Sequence, residues 1–230
     1  MSPEEYGVAV PDLAARLAAV RARIAAASAR GGRRPDEVTL VAVSKGVPVE
    51  RVRAALASGV TELGENRVQE AGPKIDALGR GARWHLVGHL QGNKAARAAA
   101  LFDVIHSVDS ARLLEALDAR AVRPLDVLLQ VNVAREPQKS GVAPEALPEL
   151  VRGAAALHLV RIVGLMTIAP QGADPARARA VFRRLRELRG EAGRLLGAPL
   201  PHLSMGMSDD FELAVEEGAT IVRIGRAIFR

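Results

Sequence analysis

The chain has 230 residues, 49% hydrophobic and 25% charged, with a formal net charge of +6 and no cysteine. That composition belongs to an ordinary globular protein, and it excludes disulfides, thiolate metal sites and cysteine nucleophiles. Aromatic residues are only 3%, too few for the stacking platforms of single-strand binders, so the positive charge speaks to non-specific attraction and not to a specific nucleic-acid function.

In chain order, Leu13, Leu17, Val20 and Ile24 recur at helical spacing and predict an amphipathic helix stopped by Gly31 and Gly32. Val38 to Val43 has only Thr39 as a polar residue, the pattern of a strand buried on both faces, and it delivers Lys45 at its exit. Pro48 to Ala57 predicts a helix ended by Gly59, and the polar stretch Glu62 to Asn66 leads into a helix from Arg67 to Leu78. Arg83 to Leu90 reads as a strand, Asn93 as a cap for a helix from Lys94 to Leu101, Phe102 to Val108 as a strand, and Asp109 or Ser110 as the cap of a helix through Ala121.

The second half repeats this rhythm. A strand is expected from Pro124 to Val133, a polar loop carries Lys139 to Gly141, and a helix follows from Pro144 to Leu157. Leu159 to Ile168 contains a strand, Pro175 to Leu196 a long arginine-rich helix with Val181, Leu185 and Leu188 as its apolar stripe, and Leu203 to Ser208 a short strand and turn. Asp209 and Asp210 open a helix to Glu217, where acidic residues favour the dipole, and Thr220 to Gly225 is the last strand. About eight strand and helix alternations without a Pro/Gly-rich linker predict a single-domain (β/α)8 TIM barrel over residues 1–230, with an extra N-terminal helix closing its bottom or packing beside it. An open doubly wound sheet is the alternative, but neither G-x-G-x-x-G after the first strand nor a Walker A sequence is present.

In a barrel, chemistry gathers at the carboxyl ends of the strands. That rule collects Lys45, Glu65, Asn66, His89, Gln91, His106, Asn132, Met166, Thr167, Ser204 to Ser208 and Arg223 to Arg226. Of the four lysines, Lys74 falls on a helix, Lys94 at a helix start and Lys139 in a loop, where solvated or structural roles are expected, and Lys45 alone ends an apolar strand. Lys45 is either where the strand meets solvent or a desolvated amine of lowered pKa, fit for imine formation or general base work. Gly206 to Ser208 and Gly225 either serve tight turns or aim amides and the Ser208 hydroxyl at an anion. An amine on the first strand facing a phosphate cradle on the last two is what pyridoxal 5′-phosphate needs. Arg223 is then either a rim ion pair or the partner of the pyridine nitrogen, which it would keep unprotonated and so weaken as an electron sink. His85 and His89 would share a strand face, but with no evident third ligand they make a poor zinc site. No G-x-S-x-G elbow supports a serine hydrolase.

Several long motifs carry a resemblance over nearly the whole length: VAVSKG around Lys45, GENRVQE from Gly64, WHLVGHLQGNK from Trp84, HSVD from His106, QVN from Gln130, KSG from Lys139, GLMTI from Gly164 and LSMGMSDDFELAVEEGATIVRIGRAIF from Leu203. The chain resembles the pyridoxal-phosphate homeostasis proteins, also called proline synthetase co-transcribed homologues. The resemblance implies a barrel like the amino-terminal domain of alanine racemase, with pyridoxal phosphate on Lys45. It places Arg223 toward the pyridine nitrogen, Ser208, Gly225 and the amide of Arg226 around the phosphate, and Asn66 and Met166 near the ring. Arg226 departs from a small hydroxyl residue frequent in the family, and Arg67 and Gly92 stand where Tyr and Ser are frequent.

The function expected from these readings is storage, delivery or buffering of pyridoxal phosphate without turnover, with pyridoxal-phosphate-dependent apo-enzymes as partners. The alternative is an amino-acid racemase on the same barrel. In alanine racemases the base opposite the lysine is a tyrosine supported by a β-rich second domain; here the sole tyrosine is Tyr6, before the first helix, and the chain stops at the eighth strand. His89 is the substitute base to consider. No basic leader with an apolar segment opens the chain and no apolar run nears the roughly 18 residues of a membrane span, so the expected compartment is the cytoplasm, away from membranes.

Overall fold

The computed structural model describes residues 10–230, so Tyr6 lies outside the described residues. The strands are β1 (Thr39–Val43), β2 (Glu62–Glu65), β3 (Arg83–Leu86), β4 (Val104–Val108), β5 (Leu125–Gln130), β6 (Val160–Met166), β7 (His202–Ser204) and β8 (Ile221–Ile224), and they close into a parallel barrel in sequence order. The seam is sealed by β1 against β8, with Val41 opposite Arg223 and Ala42 opposite Ile224. The helices are α1 (Val10–Arg30), α2 (Val49–Ala57), α3 (Val68–Leu78), α4 (Ala95–Leu101), α5 (Ala111–Asp118), α6 (Leu147–Arg152), α7 (Pro175–Leu196), α8 (Phe211–Glu216) and α9 (Arg226–Phe229). Among the described residues no helix is long and apolar enough to cross a membrane.

The N-terminal helix takes a definite place. A (β/α)8 barrel needs an outer helix after β8, but α9 has only four residues. The 21-residue α1 packs against α8, α9 and α2 and so fills that position in the ring. Its stripe of Leu13, Leu17, Val20, Ile24 and Ala27 is buried, in keeping with a core-facing seam at helical period. Helix α7 is bounded as its sequence dictates: the Asp174 carboxylate accepts from the Arg177 amide at 2.9 Å, and Gly197 ends the helix in the left-handed region at φ 67°.

Elsewhere the elements are shorter than the sequence suggests. The strand expected from Arg83 to Leu90 stops at Leu86, and that from Pro124 to Val133 runs only from Leu125 to Gln130. Asn93 lies inside a 3-10 turn (Gly92–Lys94) before α4, and the Ser110 side chain makes no capping bond to α5. The helix expected through Leu157 gives way after Arg152 to a 3-10 turn that starts at Gly153.

Helix α8 is clamped between two arginine-bearing helices. Glu212 pairs with Arg23 of α1, Glu216 with Arg30 of α1 and Arg179 of α7, and Glu217 with Arg179 and Arg183. The Arg23 hydrogen bond is the main cause holding the Glu212 carboxyl below the usual range. For Glu216 and Glu217 burial pushes upward, but the arginine bonds outweigh it and both are also held low. A carboxyl lowered in the folded state adds stability that is complete above its unfolded pKa and is lost as pH falls through the folded one. Denaturation midpoints should therefore drop on going from about pH 6 to about pH 3, and a Glu216→Gln, Glu217→Gln variant should show a shallower acid limb; an identical limb would refute this role.

Candidate functional site

Apolar β1 ends at Val43, and burial stops one residue later at Ser44. Gly46, at φ 67°, then turns the chain outward. Lys45 is consequently exposed, which matches the reading that the strand meets solvent there and not that of a desolvated amine. Its anchorage is nonetheless rigid. The Ser44 amide donates to Gly64 O at 2.8 Å, and the Ser44 hydroxyl to Glu65 Oε1 at 2.6 Å. Lys74 Nζ, reaching in from α3, donates to Glu65 Oε1 at 2.6 Å and to Ser44 O at 2.5 Å. Glu65 and Lys74 are both buried, which explains why β2 is polar: its last carboxylate is the hub of a charged clamp under Lys45, and Lys74 is structural.

Lys45 shares a cavity of about 230 Å³ with Val43, Val47, Gly225, Arg226, Phe229 and Arg230. This joins the exit of β1 to that of β8. A side chain at Gly225 would crowd it, since a Cβ there would lie 3.0 Å from Val43 O. Ser208 comes over from the β7 side, its hydroxyl 3.4 Å from the Ala227 amide. The Arg226 side chain is exposed and paired with Asp209, and the residue lines the cavity beside Gly225. Gly206 serves a tight turn, with φ 92° and an added Cβ only 2.8 Å from Phe211 Cα. The Met207 amide is committed to Asp210 Oδ1 at 2.6 Å.

The remaining predicted residues lie around the barrel mouth without lining that cavity. Asn66 follows β2, and the register of Val43 with Gly64 carries it to the level of Lys45. Met166, the last residue of β6, is buried in the barrel interior with Val41, Val104, Leu128 and Ile221. Arg223 is no rim ion pair. It is buried inside the barrel and donates to Ser204 Oγ at 2.6 Å and to Thr167 O at 3.0 Å. Burial lowers its pKa to about 10, against the charge of Asp210, so the guanidinium stays protonated at neutral pH. These two bonds leave further N–H donors for a ligand.

The histidines separate. His85 points inward, buried, with Glu62 and His106 as ring partners, while His89 lies past the strand, exposed, 3.9 Å from Asp109. They share no face because β3 ends between them. Among the described residues no group of three or more metal-ligating side chains is gathered. Arg67 is exposed and pairs with Glu70 at 3.4 Å, and Gly92 is exposed.

The alanine racemase N-terminal domain model matches residues 15–230. The pyridoxal phosphate homeostasis protein of Aquifex aeolicus is 45% identical over 93% of this chain and 96% of its own length, and that of Escherichia coli 42% identical over 95% and 96%. The chain belongs to the pyridoxal phosphate homeostasis protein family. Among solved structures of homeostasis-type relatives, PipY of Synechococcus elongatus with pyridoxal phosphate bound superposes with a TM-score of 0.84 at 40% identity, covering 95% of this chain and 100% of PipY. Alanine racemase of Corynebacterium glutamicum shares the fold alone, with a TM-score of 0.67 at 18% identity, covering 92% of this chain and 60% of the racemase.

Proposed function

We propose that this protein binds pyridoxal 5′-phosphate at the carboxyl ends of β1 and β8 through Lys45 and acts as a carrier or buffer of that cofactor. The observation that carries this reading is the cavity in which Lys45 meets Gly225 and Arg226; the pyridoxal phosphate bound to PipY supports it. When bound, pyridoxal phosphate supplies an aldehyde that condenses with a primary amine and a ring that withdraws electrons. The chain's residues fit these demands. Lys45 is an accessible amine on a fixed base, Ser208 offers a hydroxyl, and Gly225 and Arg226 offer amides to an anion. Arg223 would offer a buried, protonated guanidinium to the ring nitrogen, and Asn66 and Met166 would lie near the ring. A protonated guanidinium there would donate to the nitrogen lone pair and disfavour a proton on it, which keeps the ring a weak electron sink and suits holding more than turnover.

Racemization would need an acid or base across from Lys45. Among the described residues His89, beside Asp109, is the side chain to test for it. Purified protein mixed with pyridoxal phosphate should gain the visible absorbance of the lysine-bound cofactor, and Lys45→Ala should lack it. Loaded protein should restore activity to a pyridoxal-phosphate-dependent apo-enzyme while leaving L- and D-amino acids unconverted. Sustained amino-acid turnover, abolished by His89→Ala, would replace the carrier reading with the racemase.

A further inference from the structure

Glu62, His85, His106, Ser204 and Arg223 form a continuous hydrogen-bonded file through the barrel interior. Glu62 Oε2 lies 2.6 Å from His85 Nε2, His85 Nδ1 lies 2.8 Å from His106 Nε2, and His106 Nδ1 lies 2.8 Å from Ser204 Oγ, which accepts from Arg223 at 2.6 Å. Strand register makes the file climb. Gly64 is level with His85, which sets Glu62 one pleat below; His85 is level with Val104, which sets His106 one pleat above; Ser204 is level with Ile221, which sets Arg223 one pleat above. The lower end alone meets solvent: the Glu62 side chain is 20% exposed, whereas His85, His106, Ser204 and Arg223 are buried.

One proton arrangement satisfies every member. A guanidinium only donates, so Ser204 Oγ accepts from Arg223 and must send its own hydrogen elsewhere. His106 Nδ1 receives it, His106 Nε2–H donates to His85 Nδ1, and His85 Nε2–H donates to the Glu62 carboxylate. Both rings are then neutral Nε2–H tautomers. The reverse polarity would set a bare His85 nitrogen against a carboxylate oxygen and, with His106 donating to Ser204 Oγ as Arg223 does, leave the Ser204 hydrogen without an acceptor. An imidazolium at His106 fails for the same reason, and burial, then His85, Arg223, His202 and Arg83, push its pKa well below the usual histidine value.

We propose that Glu62, His85 and His106 are positioning residues for Arg223: they turn the lone pair of Ser204, and not its hydrogen, toward the guanidinium and so fix that cation inside the barrel, at the upper end of the file. This role rests on the reading that Arg223 faces the ring nitrogen of pyridoxal phosphate. The file itself is tested without the cofactor. Long-range proton–nitrogen correlation spectra of histidine-labelled protein at about pH 8 should show His85 and His106 as Nε2–H tautomers. An Nδ1–H tautomer at either position would overturn the proposal, and this measurement needs no substitution. Glu62→Leu should speed solvent exchange of the Arg223 guanidinium protons and shift the pH dependence of the visible band in loaded protein, and Glu62→Gln, which keeps an acceptor, should restore slow exchange. Unchanged exchange in Glu62→Leu would contradict the positioning role. If wild-type protein never acquires the band, the cofactor reading fails while the spectra still decide the file; if it acquires a band whose pH dependence Glu62→Leu leaves unmoved, the positioning role alone fails.

Discussion

Lys74→Met should lower the unfolding free energy by about 3–5 kcal/mol, the cost typical of removing one partner from a buried ion pair. Glu65 is fully buried and its Oε1 takes hydrogen bonds from both Ser44 and Lys74, while Oε2 is buried without a partner. Removing the ammonium strands that carboxylate in a low-dielectric site and frees the Ser44 carbonyl, whose bond from Lys74 spans 2.5 Å. A domain's whole margin is about 5–15 kcal/mol, so the loss should be plain in a urea titration. The double variant Glu65→Leu, Lys74→Met should recover much of it, because no unpaired charge is then left. Since the clamp holds the residue before Lys45, pyridoxal phosphate should also bind more weakly to Lys74→Met. A loss under about 1 kcal/mol would show that the pair contributes no more than a surface ion pair.

Gly88→Ala should be among the most damaging of the small substitutions near the site. A Cβ at Gly88 would lie 2.3 Å from Asn66 O and 2.9 Å from Asn66 C and Cα. Those are backbone atoms that no rotamer change can move aside, so the strand ends of β2 and β3 must separate. Overpacking of this kind costs about 1–3 kcal/mol, and here the upper part of that range is expected. Displacing Asn66 should weaken cofactor binding as well. Gly92→Ala is the internal control, because nothing lies within 4 Å of a Cβ there; its effect should stay within about 0.5 kcal/mol. Equal effects of the two alanines on the denaturation midpoint would refute the close approach.

Both predictions concern residues whose roles lie between distant parts of the chain, and there the sequence is least legible. Lys45 stood out because a local apolar run ends beside it. Helices α1 and α7 stood out because their stripes repeat over 21 and 22 residues. Strand β2 did not, since Glu62 and Glu65 point into the protein and break the alternation by which a strand is recognised; their partners, His85 and Lys74, lie 23 and 9 residues away. The same holds for Lys74, whose position on a helix gives no hint that α3 aims it at Ser44. His85 and His89 fit a shared strand face only while β3 is taken as continuing past Leu86. The four residues of α9 are too few to show a period. Of the candidate binding residues, Arg223 and Ser208 draw attention by their place near strand ends, but the file linking Arg223 to Glu62 joins five strands and is written in no single stretch. Ser204, at the end of β7, and His106, within β4, are among its few local signals.

Lys45 is proposed as the residue through which this protein holds pyridoxal phosphate. Protein loaded with the cofactor, reduced with borohydride and digested should carry the pyridoxyl group on the peptide containing Lys45, with Lys74, Lys94 and Lys139 unmodified. A pyridoxyl group found on one of those three lysines instead, or on none, would contradict it.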